Sequence, residues 1–144
     1  MAHAVQIVFD CANPDRLARF YATALGYKLQ DPPQGYASWE EALKAFGVPE
    51  EDWNSASAIV DPEDRGPRIY FQQMDTPKPH KNRVHLDVNA SGGPSVPLED
   101  RRKQVDSEVE RLLAAGATRQ RAWEETGGYW VVMQDPEANE FCVQ

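Results

Sequence analysis

Alternating and helical patterns of hydrophobic residues follow one another along the chain and predict a strand, a helix and then about three strands. The first segment, AVQIVFD, alternates as a half-buried strand requires. Its two faces carry Val5, Ile7 and Phe9 on one side and Gln6, Val8 and Asp10 on the other. Asn13-Pro14 then predicts a helix start, apolar residues follow at helical spacing, and Gly26 predicts the helix end.

Residues 31–57 interrupt this order after a short predicted strand at 27–30. Ser38 begins a capping box, which predicts a short helix from Trp39 to about Phe46. Because Trp39 and Trp53 lie in this segment, one hypothesis is that it covers a ligand site as a lid. The alternative is that the aromatic side chains pin the short helix to the domain. Strands are then predicted at 56–60 and 67–74.

The same order returns after a polar connector, residues 76–81. RVHLDV alternates, with Val84, Leu86 and Val88 opposite Arg83, His85 and Asp87. A helix is predicted at 98–115 and strands at 118–122, 129–134 and 140–144, the last one preceded by a turn at 135–139. Such an internal repeat predicts an α+β domain, 1–144, built from two βαβββ modules at about 1–76 and 82–144.

Composition and net charge argue against several classes of function. The chain has 144 residues and a net charge of −8, which argues against binding nucleic acid or an anionic membrane surface. No apolar run approaches the roughly 20 residues that span a bilayer. Two cysteines, Cys11 and Cys142, cannot form a disulfide scaffold and are typical of a reducing compartment. We therefore expect a cytoplasmic protein.

Three motifs carry a family resemblance: DCANPDRLARFYATALGYKL, KNRVHLDV and YWVVMQDPEANEFCV. The chain resembles the vicinal oxygen chelate superfamily, which comprises glyoxalase I, extradiol dioxygenases and the fosfomycin and bleomycin resistance proteins, and most of all its glyoxalase-like domain branch. The resemblance implies that the strands curl into a cup-shaped mixed β-sheet with helices on the convex face, and that the protein is a homodimer. In the turn before the last strand, Ala138 stands where the family has glycine.

Within such a cup, the residues opposite the helix-packing faces form one concave set. Its members are Gln6, Val8, Asp10, Arg68, Tyr70, Gln72, Arg83, His85, Asp87, Glu140, Cys142 and Gln144. So many polar side chains pointing inward are costly without water, partners or a ligand. This predicts a binding site for a small polar metabolite.

The resemblance places metal ligands at Gln6, Arg83, Cys142 and either Tyr70 or Gln72. Because a guanidinium stays protonated, Arg83 cannot bind a cation, and we expect no metal cofactor. This disfavours glyoxalase I and extradiol dioxygenase activity, which need a Lewis acid. An Arg83–Asp87 or Arg83–Glu140 ion pair would then fill the position that the metal ion has in metal-dependent relatives. A displaced divalent metal site built from His85, Glu140 and Cys142 is the alternative.

Two functions remain open. In the first, the protein is a metal-independent lyase or isomerase in which His85, Asp87 and Glu140 transfer protons. The ligand would be held by Gln6, Arg68, Tyr70, Gln72, Arg83, Trp39 and Cys142. Arg68 or Arg83 would hold an anionic group, and Arg83 could lower the pKa of a nucleophilic Cys142. In the second, the protein binds and sequesters a drug or antibiotic without catalysis.

Overall fold

The structure, a computed structural model, describes residues 1–144 and divides into two compact units, Met1–Pro77 and Lys78–Gln144. The boundary falls inside the predicted polar connector. None of the helices is both long and apolar enough to cross a membrane.

Unit 1 contains a four-stranded mixed sheet with one long helix on it. Its elements are β1 (Ile7–Cys11), α1 (Pro14–Leu25), β2 (Lys28–Leu29), α2 (Trp39–Ala45), a 3₁₀ turn (Glu50–Asp52), β3 (Ala56–Val60) and β4 (Ile69–Gln73). The strand order is β1-β4-β3-β2, with β1 parallel to β4 and the other pairs antiparallel.

Local signals position α1 as expected. The Asn13 side chain accepts the backbone N–H of Arg16, and Gly26 ends the helix at a φ of 70°, a conformation that favours glycine. Phe9 packs on Tyr21 of the helix and on Phe71 of β4, with ring centroids 4.8 and 5.5 Å apart. The aromatic cluster therefore fixes which face of the sheet is covered, and the opposite face stays open.

Unit 2 repeats this arrangement. Its elements are β5 (Asp87–Val88), α3 (Leu98–Ala114), β6 (Thr118–Glu125), β7 (Gly128–Gln134) and β8 (Glu140–Val143). The strand order is β5-β8-β7-β6, again with the first and last strands parallel. Val131, Met133, Phe141 and Val143 are buried on the face that α3 contacts. The predicted α+β class and the βαβββ order are confirmed in both units.

Two strands are shorter than the alternation predicts. β5 was expected over RVHLDV but contains only Asp87 and Val88, and Val84 is 81% exposed instead of packed. The parallel register pairs Asp87 with Cys142, so Arg83 would face Ala138, which lies in a turn and offers no strand to pair with. β1 begins at Ile7 rather than Ala4, and Val5 is 71% exposed instead of packed.

The turn between β7 and β8 is organised by Asp135, which is only 3% exposed. Its carboxylate accepts the backbone N–H groups of Glu137 (2.8 Å) and Asn139 (3.0 Å) and the Asn139 side-chain amide (2.8 Å). Ala138 has a φ of 65°, a left-handed conformation in which alanine costs about 1 kcal/mol relative to glycine. The carboxylate therefore holds a strained turn in place.

Candidate functional site

A row of side chains on the open face of the unit 2 sheet brings together the chemistry predicted for β5 and β8. The strand register places Asp87 beside Cys142, and Cys142 beside Val132. His85 precedes Asp87 by two residues, and Trp130 precedes Val132 by two. Because alternate residues of an extended chain point to the same side, all five side chains lie on one face of the sheet.

These residues line a depression of about 350 Å³. Its lining residues are Lys81, His85, Asp87, Trp130, Val132, Glu140, Phe141, Cys142 and Gln144. The predicted residues His85, Asp87, Glu140 and Cys142 are thus brought together, whereas Arg83 does not line the depression. Trp130 and Lys81 were missed by the sequence analysis, since a tryptophan within an alternating strand and a lysine within a polar connector carry no distinctive signal.

His85 and Asp87 form the hydrogen-bonded pair of the site. His85 Nδ1 lies 3.0 Å from Asp87 Oδ1, and the two side chains are 43% and 42% exposed. The Cys142 Sγ atom lies within 4.8 Å of the ligand atoms of both side chains. Because a carboxylate only accepts, the hydrogen of a neutral His85 is best placed on Nδ1, which leaves the Nε2 lone pair unshared with Asp87.

Cys142 is poorly suited to act as a nucleophile. Burial raises the pKa of its thiol, and the nearby Asp87 carboxylate raises it further against a smaller opposing influence of Lys81. A reactive cysteine needs the opposite shift, because the thiolate is the nucleophile. The expectation that Arg83 lowers this pKa is therefore wrong, and the surroundings of Cys142 favour the neutral thiol.

Glu140 is held by an ion pair that the sequence analysis assigned to the wrong residue. Its carboxylate accepts from Lys78 Nζ at 3.1 Å and from the Asn82 backbone N–H at 2.9 Å. The predicted pairing of Arg83 with Glu140 or Asp87 is wrong, because Glu140 binds Lys78 and Asp87 binds His85. Arg83 is exposed ahead of the short β5. Glu140 therefore anchors the connector to β8, and both bonds stabilise its charged carboxylate.

The Lys78–Glu140 pair makes the free energy of unfolding depend on pH in the acid range. Burial acts to raise the pKa of Glu140, but the bonds from Asn82 and Lys78 outweigh it and lower the pKa from 4.5 to about 2. The stabilisation is fully present above pH 4.5 and is lost as the pH falls towards 2. We expect Glu140→Gln to lose about 1–2 kcal/mol of unfolding free energy at pH 6 and less at pH 3.

Urea unfolding at both pH values measures this difference. Glu99→Gln is the matched control, because the Glu99 side chain is 81% exposed and pairs only with surface Lys103. Equal losses at pH 6 and pH 3 for Glu140→Gln would contradict the assignment.

Unit 1 carries a separate polar cluster on its own open face. Arg68 donates from Nε to Gln30 Oε1 (2.7 Å) and from Nη1 to Gln6 Oε1 (2.8 Å). Its guanidinium lies over the Tyr70 ring, 5.3 Å from the centroid. The structure thus joins the predicted residues Gln6, Arg68 and Tyr70, and adds Gln30, which the sequence analysis did not select.

Trp39 and Gln72, also predicted to bind the ligand, do not contact this polar cluster through Arg68 and have other partners. Trp39 donates from Nε1 to the Gln30 backbone carbonyl at 2.7 Å and is 41% exposed. This bond ties α2 to the residue after β2, as expected of an aromatic side chain that pins a short helix. Gln72 is exposed, and its amide lies 3.7 Å from Met74 Sδ. A lid role for residues 31–57 stays a prediction.

The family model for the glyoxalase-like domain matches residues 6–144. The chain belongs to the glyoxalase-like domain family. It is also similar in fold to solved structures of the glyoxalase/bleomycin resistance/dioxygenase group. No curated protein matches its sequence.

Three solved structures illustrate the fold shared by this glyoxalase-like protein. A glyoxalase/bleomycin resistance protein/dioxygenase family enzyme from Burkholderia phytofirmans is 16% identical, with a TM-score of 0.59 over 96% of this chain and 94% of that one. A glyoxalase-related enzyme from Fulvimarina pelagi is 16% identical, with a TM-score of 0.62 over 99% and 87%. A variant of the fosfomycin resistance protein FosX from Listeria monocytogenes, complexed with Mn(II) and 1S,2S-dihydroxypropylphosphonic acid, is 12% identical, with a TM-score of 0.63 over 100% and 90%.

The metal positions implied by the resemblance do not suit a cation in this glyoxalase-like protein. The Gln6 oxygen already accepts a hydrogen bond from the Arg68 guanidinium, and Arg83 is exposed and cannot coordinate. Glu140 of the displaced set is engaged by Lys78. Gln6, Arg83 and Glu140, as they stand here, therefore do not fit a metal ion.

His85, Asp87 and Cys142 offer a different donor set, with ligand atoms within 4.8 Å of one another. Around a tetrahedral Zn²⁺, ligand atoms lie about 3.5 Å apart, as bond lengths of about 2.0–2.3 Å require. In the structure Asp87 Oδ1 lies 3.0 Å from His85 Nδ1, so these two side chains form a hydrogen-bonded pair. A cation bound by the three residues would have to replace that bond.

Proposed function

We propose that this protein binds a small polar molecule in the unit 2 depression and transfers a proton to or from it, as a metal-independent lyase or isomerase. The observation that carries this proposal is the His85–Asp87 pair at 3.0 Å, with both residues lining the depression. A neutral imidazole oriented by a carboxylate is an arrangement suited to general acid–base catalysis.

The proton moves along a simple route in this scheme. His85 Nε2 takes a proton from a carbon of the ligand, and the imidazolium that forms is stabilised by Asp87. The same nitrogen then returns the proton to another ligand atom, which is an isomerisation, or to a leaving oxygen, which is an elimination. Asp87 remains ionised throughout and acts as the positioning residue for His85.

The walls of the depression suit a ligand with one apolar and one polar side. Trp130 and Val132 supply apolar surface, and Lys81 supplies a cation that can face a ligand oxygen. Glu140 keeps the connector against β8 and is proposed as a positioning residue. A fold relative from Listeria monocytogenes holds a dihydroxypropylphosphonic acid, which supports a small polar ligand as the class to test.

One observation favours a second candidate, a non-catalytic protein that sequesters a drug or antibiotic. His85 and Asp87 are each more than 40% exposed, whereas proton transfer in enzymes benefits from the exclusion of water. An open depression with an aromatic wall serves binding without chemistry equally well. Homodimer formation, a cytoplasmic location and the absence of a metal cofactor stay predictions.

Binding is tested by titrating the full chain with a panel of small hydroxy, keto and phosphono acids and recording two-dimensional amide NMR spectra. We expect saturable shifts at residues lining the depression, led by the Trp130 indole N–H. His85→Ala is expected to keep affinity within about threefold if His85 serves catalysis and to lose it if His85 serves binding. The matched control is His80→Ala in the exposed connector. Saturable shifts confined to other surfaces would overturn the assignment of the depression.

A further inference from the structure

The Arg68 cluster of unit 1, formed by Gln6, Gln30, Arg68 and Tyr70, holds a cation that no carboxylate neutralises. Arg68 is half-buried, yet none of the ion pairs within 4.0 Å in the chain includes it. Its partners are two uncharged amide oxygens and an aromatic ring. In a protein with 23 acidic residues and 15 lysines and arginines, such a pairing leaves a positive charge available on the sheet.

The hydrogen bonds within the cluster also determine whether its remaining polar groups are donors or acceptors. A guanidinium has no acceptor, so each glutamine must turn its Oε1 towards Arg68 and its NH₂ group away. The Nη2 group of Arg68 makes no hydrogen bond that the structure records. The polar hydrogens left over are therefore donors from three side chains.

A set of donors around a positive charge matches one class of ligand. Carboxylate and phosphate oxygens accept several hydrogen bonds at once, and the planar guanidinium binds two of them side by side. A cation is repelled, and a neutral carbonyl uses only part of the donor set. The two glutamine bonds orient the guanidinium over the Tyr70 ring, so its donors are arranged before a ligand arrives.

We propose that Gln6, Gln30 and Arg68 form an oxyanion-binding site on the open face of the unit 1 sheet, taking a phosphate or carboxylate group. This goes beyond the proton transfer proposed for unit 2 and does not depend on it. Both neutral glutamines are specificity-determining, because a carboxylate at either position would occupy the guanidinium.

The test titrates the full chain at low ionic strength with sodium phosphate, sodium acetate and, as a salt control, sodium chloride, while the Arg68 Nε–H NMR signal is followed. We expect a saturable shift with phosphate or acetate that chloride does not reproduce. Saturation by phosphate alone, or by acetate alone, identifies which oxyanion the site prefers. Absence of a saturable shift with both would overturn the proposal.

Gln30→Glu is the decisive variant, because it differs from the wild type by one group and places a carboxylate on Arg68. It is expected to weaken oxyanion binding at least tenfold. Gln30→Asn shortens the side chain without adding a charge, and so separates the loss of the bond to Arg68 from the effect of the carboxylate. Arg68→Met should abolish the binding, and Arg65→Met, which removes an exposed arginine paired with Glu63, should not change it. Unchanged binding in a folded Gln30→Glu protein, judged by its amide spectrum, would show that the anion binds elsewhere.

Discussion

Replacing Asp135 by alanine is expected to lower the free energy of unfolding by about 3 kcal/mol. The carboxylate accepts three N–H groups within the β7–β8 turn and is 3% exposed. Its loss leaves half-buried donors without an acceptor, which is more costly than the loss of an exposed hydrogen bond. The left-handed Ala138 also loses the contacts that hold its conformation.

Asp61→Ala is the matched control for this prediction. Asp61 also accepts three N–H groups, all from the backbone, of Glu63, Arg65 and Gly66. Its side chain is less buried than that of Asp135. Urea unfolding should give a clearly larger loss for Asp135→Ala than for Asp61→Ala. Similar losses for the two variants would contradict the importance assigned to burial at Asp135.

The sequence predicts the architecture well wherever a local signal and a hydrophobic pattern agree. Asn13-Pro14 and Gly26 delimit α1, and the structure places its ends within a residue of that expectation. The repeated strand–helix–strand order also predicts two βαβββ modules. These features depend on neighbours in sequence, which is why periodicity reveals them.

The candidate site is predicted less completely because its contacts depend on register. Alternation in RVHLDV correctly places His85 and Asp87 together, but it does not show that β8 is too short to pair with Arg83. The pairing of Lys78 with Glu140 joins residues 62 positions apart, and nothing in the polar connector marks Lys78. A prediction from sequence therefore finds the residues on one strand more readily than the partners that they take from another.

His85→Ala is expected to have the largest effect on function, a loss of about 100-fold or more in proton transfer. Imidazole Nε2 is the group that accepts the proton in this account, and alanine leaves no base in its place. Asp87→Asn should give an intermediate loss, because the amide can turn its NH₂ group towards His85 and favour the wrong tautomer. Cys142→Ser, which changes a side chain that takes no part in the proton transfer, should retain most of the activity.

The most direct measurement is deuterium incorporation into ligands that bind the depression, followed by proton NMR in D₂O with the wild type, His85→Ala and His80→Ala. This reports proton transfer at a ligand carbon whether or not a stable product accumulates. We expect exchange with the wild type and His80→Ala, and its loss with His85→Ala. Exchange at equal rates in the wild type and His85→Ala, or binding to the depression without any exchange, would contradict the proton-transfer function.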